Sequence, residues 1–289
     1  MRYVFLRFLG FRYKAVTLSY DDNVVYDKKL LEILDKYGLK CTFNLNSGKF
    51  ATEEGGRMMT EKETKDLLAL SNHEVAVHGE YHLSLGECNS ELAIKDVLFD
   101  RMSLERIFNR IVKGMAYANG SYNDKTVEIL KLCGINYART VNSSENFNIP
   151  DDWLRLSPTC HHNNSRLNEL VEEFLKDYGK YQNYKHAAPK LLYLWGHAYE
   201  FNDNDDWEII ENFCKNVGGR DDVWYATNGE IYDYVKAYNG LEYSVGQAFI
   251  KNPSSTDVYL NFFGENVLCP AGKTISLGDK YNLEELFSR

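Results

Sequence analysis

A chain of 289 residues, 44% hydrophobic and 26% charged, is long enough to bury a full core and has the composition of a soluble globular protein. A formal net charge of −9 argues against nucleic acid and anionic membrane surfaces, whose phosphates need a basic face, and leaves neutral substrates and metal cations as the expected partners. The six cysteines are scattered with no C-x-x-C pair, as free thiols in a reducing compartment would be. The opening "MRYVFLRFLGFRYKAV" makes a poor signal peptide, because Arg7 and Arg12 interrupt it and no small-residue cleavage site follows. No apolar run approaches the roughly 20 residues of a membrane helix. A cytoplasmic location is expected, or an extracellular one if a leader has been removed.

Taken in chain order, the periodicity alternates between strand and helix. "KAVTLSY" reads as a strand and "DKKLLEILDKYG" as a helix, with Leu30, Leu31, Leu34 and Tyr37 at helical spacing and Gly38 as its stop. "KCTFNLN" is a second strand. A Gly-rich loop leads to the helix "TEKETKDLLALS", which opens with a capping box, Thr60 and Glu63. The strand "HEVAVH", a long helix over 90–110, the strand "GMAY", the helix "NDKTVEILKLCG" and the strand "INYART" follow. The pattern repeats with a helix over 166–179, the strand "KLLYLW", the helix "DWEIIENFCKNVG", the strand "DVWYA" and the helix "NGEIYDYVKAYNG". Such alternation predicts an α/β fold with a mostly parallel sheet, and about seven units in roughly 240 residues suit a barrel. From Leu241 onward short strands separated by Gly, Asn and Pro predict a small β appendage, giving a barrel over 1–240 and an extension over 241–289.

Two short stretches carry chemistry. "HGEYH" puts His78 and His82 just after a predicted strand, at the end where barrel active sites are built, and an i, i+4 pair can hold one metal ion. Gly79 follows the first histidine where a metalloprotease helix has glutamate, so that class is excluded. "LSYDD" ends the first strand on the same rim with Asp21 and Asp22. The pair divides naturally into a metal ligand and a general base, although an N-cap for the following helix is the plainer alternative. "CHHNN" offers His161 and His162 beside Cys160. On an extended segment these two histidines point opposite ways, so at most one faces the rim. A polar loop is the plainest reading there, a substrate contact or accessory metal the next, and a thiol nucleophile the last. Tyr81, Trp153, Trp195 and Tyr199 flank these stretches as candidate stacking walls for a ligand.

In order, "LSYDD", "HGEYH", "GMAYANGSYND" and "LLYLWGHAYEF" resemble the motifs of the polysaccharide deacetylase, or NodB-homology, family over residues 14–238. That resemblance implies a distorted (β/α) barrel and metal-dependent hydrolysis of acetyl groups on N- or O-acetylated carbohydrate. It implies Asp21 as catalytic base and Asp22, His78 and His82 as ligands of one divalent ion, with zinc first and Co, Ni or Fe permitted. It further implies His197 as the acid that protonates the leaving amine. The third motif departs from the family's R-P-P-Y-G. Its arginine and prolines are missing, the Asn119 backbone N–H stands as an oxyanion donor with Tyr122 nearby, and Arg155 and Arg139 are the candidates to orient Asp21. Arg155, His161 and Trp195 complete the expected substrate contacts. Two other readings stay open: an amide C–N hydrolase of the same fold acting on a small non-sugar substrate, and a catalytically weak glycan-binding protein.

Overall fold

The computed structural model describes residues 4–176, 188–246, 248–262 and 264–277. The chain enters through β1 (Val4–Arg7) and then β2 (Lys14–Asp21), whose eight residues are all buried. A strand buried on both faces need not alternate, and in "KAVTLSY" Thr17 and Ser19 are enclosed along with Ala15, Val16, Leu18 and Tyr20. Even Lys14 is enclosed, its ammonium donating to Leu175 O and Asp222 at 3.0 Å. Next come α1 (Asp27–Lys36), β3 (Cys41–Leu45), α2 (Glu61–Leu68) and β4 (Glu74–Val77). The capping box at Thr60 and Glu63 is present. The second quarter runs through α3 (Ser90–Phe108), β5 (Gly114–Ala116), α4 (Asp124–Leu132) and β6 (Tyr137–Arg139). α3 is capped by Asn89 and ends on Asn109 in the left-handed region, a common helix stop.

After β6 follow β7 (Cys160–His161), α5 (Leu167–Leu175), β8 (Lys190–His197), α6 (Ala198–Asp203), α7 (Glu208–Val217), β9 (Val223–Tyr225) and α8 (Asn228–Asn239). The end of the helix expected over 166–179 lies outside the described residues. Seven parallel strands form a continuous path, β6-β5-β4-β3-β2-β8-β7, and β9 pairs with the first residues of β2 where β3 has not yet begun. The two ends of the path are bridged by the intervening loop. Leu156 N–H donates to Ala138 O and Thr140 N–H to Leu156 O, both at 2.9 Å, while Thr159 N–H donates to Tyr193 O at 2.8 Å. The result is a distorted (β/α) barrel, as the resemblance implies and in line with the alternation.

Beyond α8 lie β10 (Glu242–Tyr243), β11 (Phe249–Lys251), β12 (Val258–Phe262), β13 (Glu265–Cys269) and β14 (Thr274–Ser276). They form two three-stranded sheets, β10-β11-β14 and β1-β12-β13, and the second takes in the strand at the start of the chain. Ile250, Val258, Leu260, Phe262 and Cys269 form a separate small core with Ala237 and Leu241 of the barrel side. Among the described residues no helix is long and apolar enough to cross a membrane.

The main core centres on β2, β3 and β8, with Leu18 fully buried at its middle. Leu18→Ala is expected to cost about 2–5 kcal/mol, the range for emptying a leucine-sized site. A lower urea midpoint at unchanged m-value would record that loss.

Candidate active site

Parallel register brings the rim residues together. Asp21, the last residue of β2, pairs in register with Asn44 of β3 on one side and His197, the last residue of β8, on the other. Asn44 Nδ2 donates to Asp21 Oδ1 at 2.7 Å. From β6, across the barrel, Arg139 donates to Asp21 Oδ2, and the guanidinium lies over the Trp195 ring at 4.2 Å. Both charges are out of solvent, Arg139 at 0% and Asp21 at 2% exposure. Burial alone would raise the Asp21 carboxyl, but Arg139, with His78 and His197 behind it, outweighs burial and holds it below the usual carboxylate range. Asp21 is therefore an ionised acceptor at the floor of the rim.

Asp22 continues the chain at φ +83°, followed by Asn23 at φ +56°. This left-handed step turns Asp22 toward the same mouth as Asp21, where an extended chain would point it away. Asp22 Oδ1 lies 3.7 Å from His78 Nε2 and 3.5 Å from His82 Nε2. The three residues fit a divalent cation on chemical grounds. His78 Nδ1 lies 2.9 Å from Ala116 O, an atom that can only accept, so Nδ1 carries the proton and Nε2 keeps its lone pair. Burial, with His78 beside it, pushes His82 down to about 4, which keeps the His82 ring neutral.

Opposite this set stands a second group. Glu200, on α6, faces His161 Nε2 at 3.2 Å, His162 Nε2 at 2.8 Å and His197 Nδ1 at 3.4 Å. His161, His197 and Glu200 have the residue types of a metal site. Asn163 N–H, however, donates to His161 Nδ1, which puts the His161 proton on Nε2, facing Glu200. We therefore read the group as one carboxylate shared by imidazoles. Burial would raise Glu200, but the three rings hold it far below its usual value. Burial pushes His162 down to about 4, and Gly196 makes room for that ring, since a Cβ there would meet His162 Nδ1 at 2.0 Å. Burial would lower His197 as well, but Glu200, Asp21 and Asp22 outweigh it and raise its pKa. Its Nε2 lies 3.9 Å from an oxygen of each aspartate.

The other expected contacts divide. His161 stands at the rim, 6.2 Å from His197 between ring centroids. Trp195 is only 8% exposed and backs Arg139 instead of presenting a face to a ligand. Tyr122 stacks on Tyr117 at 4.7 Å, and the exposed Asn119 donates from its side chain to Ser84 at 3.1 Å. Arg155 does not reach the rim pair. Its guanidinium bonds Asp124 and Asp152, both at 2.7 Å, because it follows a loop turn facing outward, and Arg139 is the arginine that meets Asp21. Trp153 packs on Tyr232, away from the rim, whereas Tyr81 is 58% exposed on the turn between the two histidines. His161 and His162 both reach Glu200, against the expectation that they diverge, because the strand ends at His161 and the chain turns. Asn44 and Glu200 were not singled out in the sequence. The one signal for Glu200 is its place three residues after His197.

The sequence profile described as polysaccharide deacetylase matches residues 10–138. Among solved structures, a putative polysaccharide deacetylase from Mycobacterium smegmatis is similar at 16% identity and a TM-score of 0.54, over 78% of this chain and 92% of that one. The Xyl-CE4 domain of a multidomain xylanase from the hindgut metagenome of Trinervitermes trinervoides is similar at 16% identity and a TM-score of 0.50, over 80% and 95%. A CE4 family pseudoenzyme from Bacillus anthracis is similar at 18% identity and a TM-score of 0.46, over 76% and 66%. The first two likenesses show the barrel fold. No curated protein matches the chain.

A buried ion pair is tested by breaking it from one side and then from both. Arg139→Met should destabilise the protein by about 3–5 kcal/mol, because it strands the Asp21 charge. Adding Asp21→Asn should restore much of the loss, read by denaturant unfolding of the single and double variants without metal.

Proposed function

We propose that this protein is a metal-dependent hydrolase that removes acetyl groups from N- or O-acetylated carbohydrate. The observation that carries the reading is a carboxylate held ionised by Arg139 and Asn44, set beside the Asp22–His78–His82 group, with His197 facing both aspartates. One base, one ligand set and one acid on a single rim are what hydrolysis of an acyl bond needs. The family match over residues 10–138 supports the same reaction class.

A divalent ion held by Asp22, His78 Nε2 and His82 Nε2, with zinc the first choice and Co, Ni or Fe also suited to the donors, would supply Lewis acidity toward a water and the acetyl carbonyl. Asp21 takes the proton of the attacking water. Arg139 keeps that carboxylate charged beforehand, and Asn44 fixes its direction. Glu200, 3.4 Å from His197 Nδ1, favours the cationic ring and leaves Nε2 toward the reacting bond. His197 then gives its Nε2 proton to the leaving nitrogen or oxygen as the bond to the acetyl carbon breaks, so acetate and the free amine or alcohol depart. The exposed Tyr81 ring offers a sugar an apolar face at the entrance.

Metal content and acetate release, measured together on chitooligosaccharides and on a simple acetate ester, test the reading. The wild type should bind about one zinc per chain and release acetate. His82→Ala should lose both, and Asp21→Asn should keep the metal but lose roughly 10²–10⁴-fold in rate. Metal binding without acetate release from either substrate would move the activity to other amides, and a wild type that binds no metal would sink the mechanism.

The pH profile has a definite sign. A depressed Asp21 pKa means activity is present above it and is lost only as pH falls through it. Arg139→Lys weakens that depression, so the acid limb of kcat/KM should move to higher pH.

A further inference from the structure

Helix α3 gives no side chain to the rim, yet two of its residues, one turn apart, hold the turn that presents His78 and His82. Asp100 is 0% exposed, and both of its oxygens accept from main-chain amides, Oδ2 from His78 N–H at 3.0 Å and Oδ1 from Ser47 N–H at 2.7 Å. Asp96 Oδ1 accepts from Tyr81 N–H at 2.8 Å, and the Asp96 main-chain carbonyl accepts from Glu80 N–H at 2.9 Å. From the other side, Asn46 donates to the carbonyls of His78 at 2.9 Å and Gly79 at 2.7 Å. Gly79 sits at φ +83°, where a Cβ would come within 2.2 Å of Asp96 Oδ2. Between His78 and His82 the chain is thus gripped at almost every residue.

Among the described residues no ion pair is formed to Asp100. A buried carboxylate without a cation is costly, and a side chain needed only to fill space would be apolar. What the carboxylate adds is two acceptors in a fixed fork, tying the end of β3 to the start of the histidine turn. We propose that Asp100, assisted by Asp96, is a positioning residue that sets metal affinity by fixing where the turn delivers the two imidazoles. The inference rests on the reading of Asp22, His78 and His82 as a metal set.

The two carboxylates differ in a way that makes the claim specific. Asp100→Asn turns an amide NH2 against a main-chain N–H whichever way it lies, since both of its oxygens are in use. Asp96 Oδ2 has no hydrogen-bond partner, so Asp96→Asn can keep its acceptor on Tyr81 and place the NH2 on the idle side.

Zinc affinity of the full chain, measured by competition with a chromogenic chelator, reads the effect without any substrate. Asp100→Asn should weaken zinc binding about tenfold or more, the usual consequence of losing the support of a ligand. Asp96→Ala should weaken it too, and Asp96→Asn should stay near wild type. Leu104→Ala, in the apolar core of the same helix, lowers stability while leaving the turn's hydrogen bonds alone, and should retain wild-type affinity. If Asp100→Asn does not fold, the contrast between Asp96→Ala and Asp96→Asn carries the test. Wild-type affinity in Asp100→Asn, or a loss no larger than in Leu104→Ala, would overturn the proposal. A wild type that binds no zinc would overturn the metal reading beneath it, and the proposal with it.

Discussion

The contact between Arg139 and Asp21 governs the rest of the rim. Neither charge reaches water, so each is tolerable only because of the other, and ion pairs of this kind constrain a structure more than they stabilise it. The guanidinium must cross the barrel from β6 to β2, which fixes the width of the barrel at that level. Trp195 of β8 closes the face of the guanidinium, and Asn44 of β3 occupies the second carboxylate oxygen. Four strands are therefore tied to one charge pair. A barrel whose strand path is completed by a loop between β6 and β7 has reason to carry such a tie.

The second constraint is conformational. Consecutive residues on a strand face opposite ways, yet Asp21 and Asp22 both open on the mouth. The left-handed step at Asp22 resolves this. Backbone strain of this sort persists only where the surroundings enforce it, and here Asp22 N–H is held by Asn44 O at 3.2 Å. His82, at φ +59°, repeats the device on the opposite side of the Asp22–His78–His82 group. The carboxylate that meets Arg139 and the one that faces the histidines are neighbours in sequence with separate directions in space.

Much of this was legible in the sequence, for a physical reason. Parallel strands put all their C-terminal ends on one rim, so motifs read at strand ends, Asp21, Asp22, His78, His82 and His197, had to converge once the alternation was recognised. Side chains arriving from loops or from across the barrel were not fixed in the same way. Arg139 and Arg155 were equal candidates in one dimension. Only the register decides between an inward strand residue and a loop residue that finds Asp124 and Asp152. Glu200 depends on a six-residue helix beginning directly after β8, too short for periodicity to reveal. Asp96 and Asp100 read as ordinary polar positions of a long helix, because burial against a turn leaves no local signature.

The pairing of β1 with β12 bears on the order in which the molecule can assemble. Val4 lies opposite Phe262, and Tyr234 Oη donates to Arg7 O at 2.6 Å, so β1 finds these partners only in segments far downstream of it. Closing so long a loop costs entropy that local contacts cannot offset, which places this sheet among the slowest steps to form. β3 to β6 pair with near neighbours, whereas β2 must itself wait for β8 and β9. β1 thus lacks these partners until the β12–β13 hairpin is in place, so one late event completes that sheet.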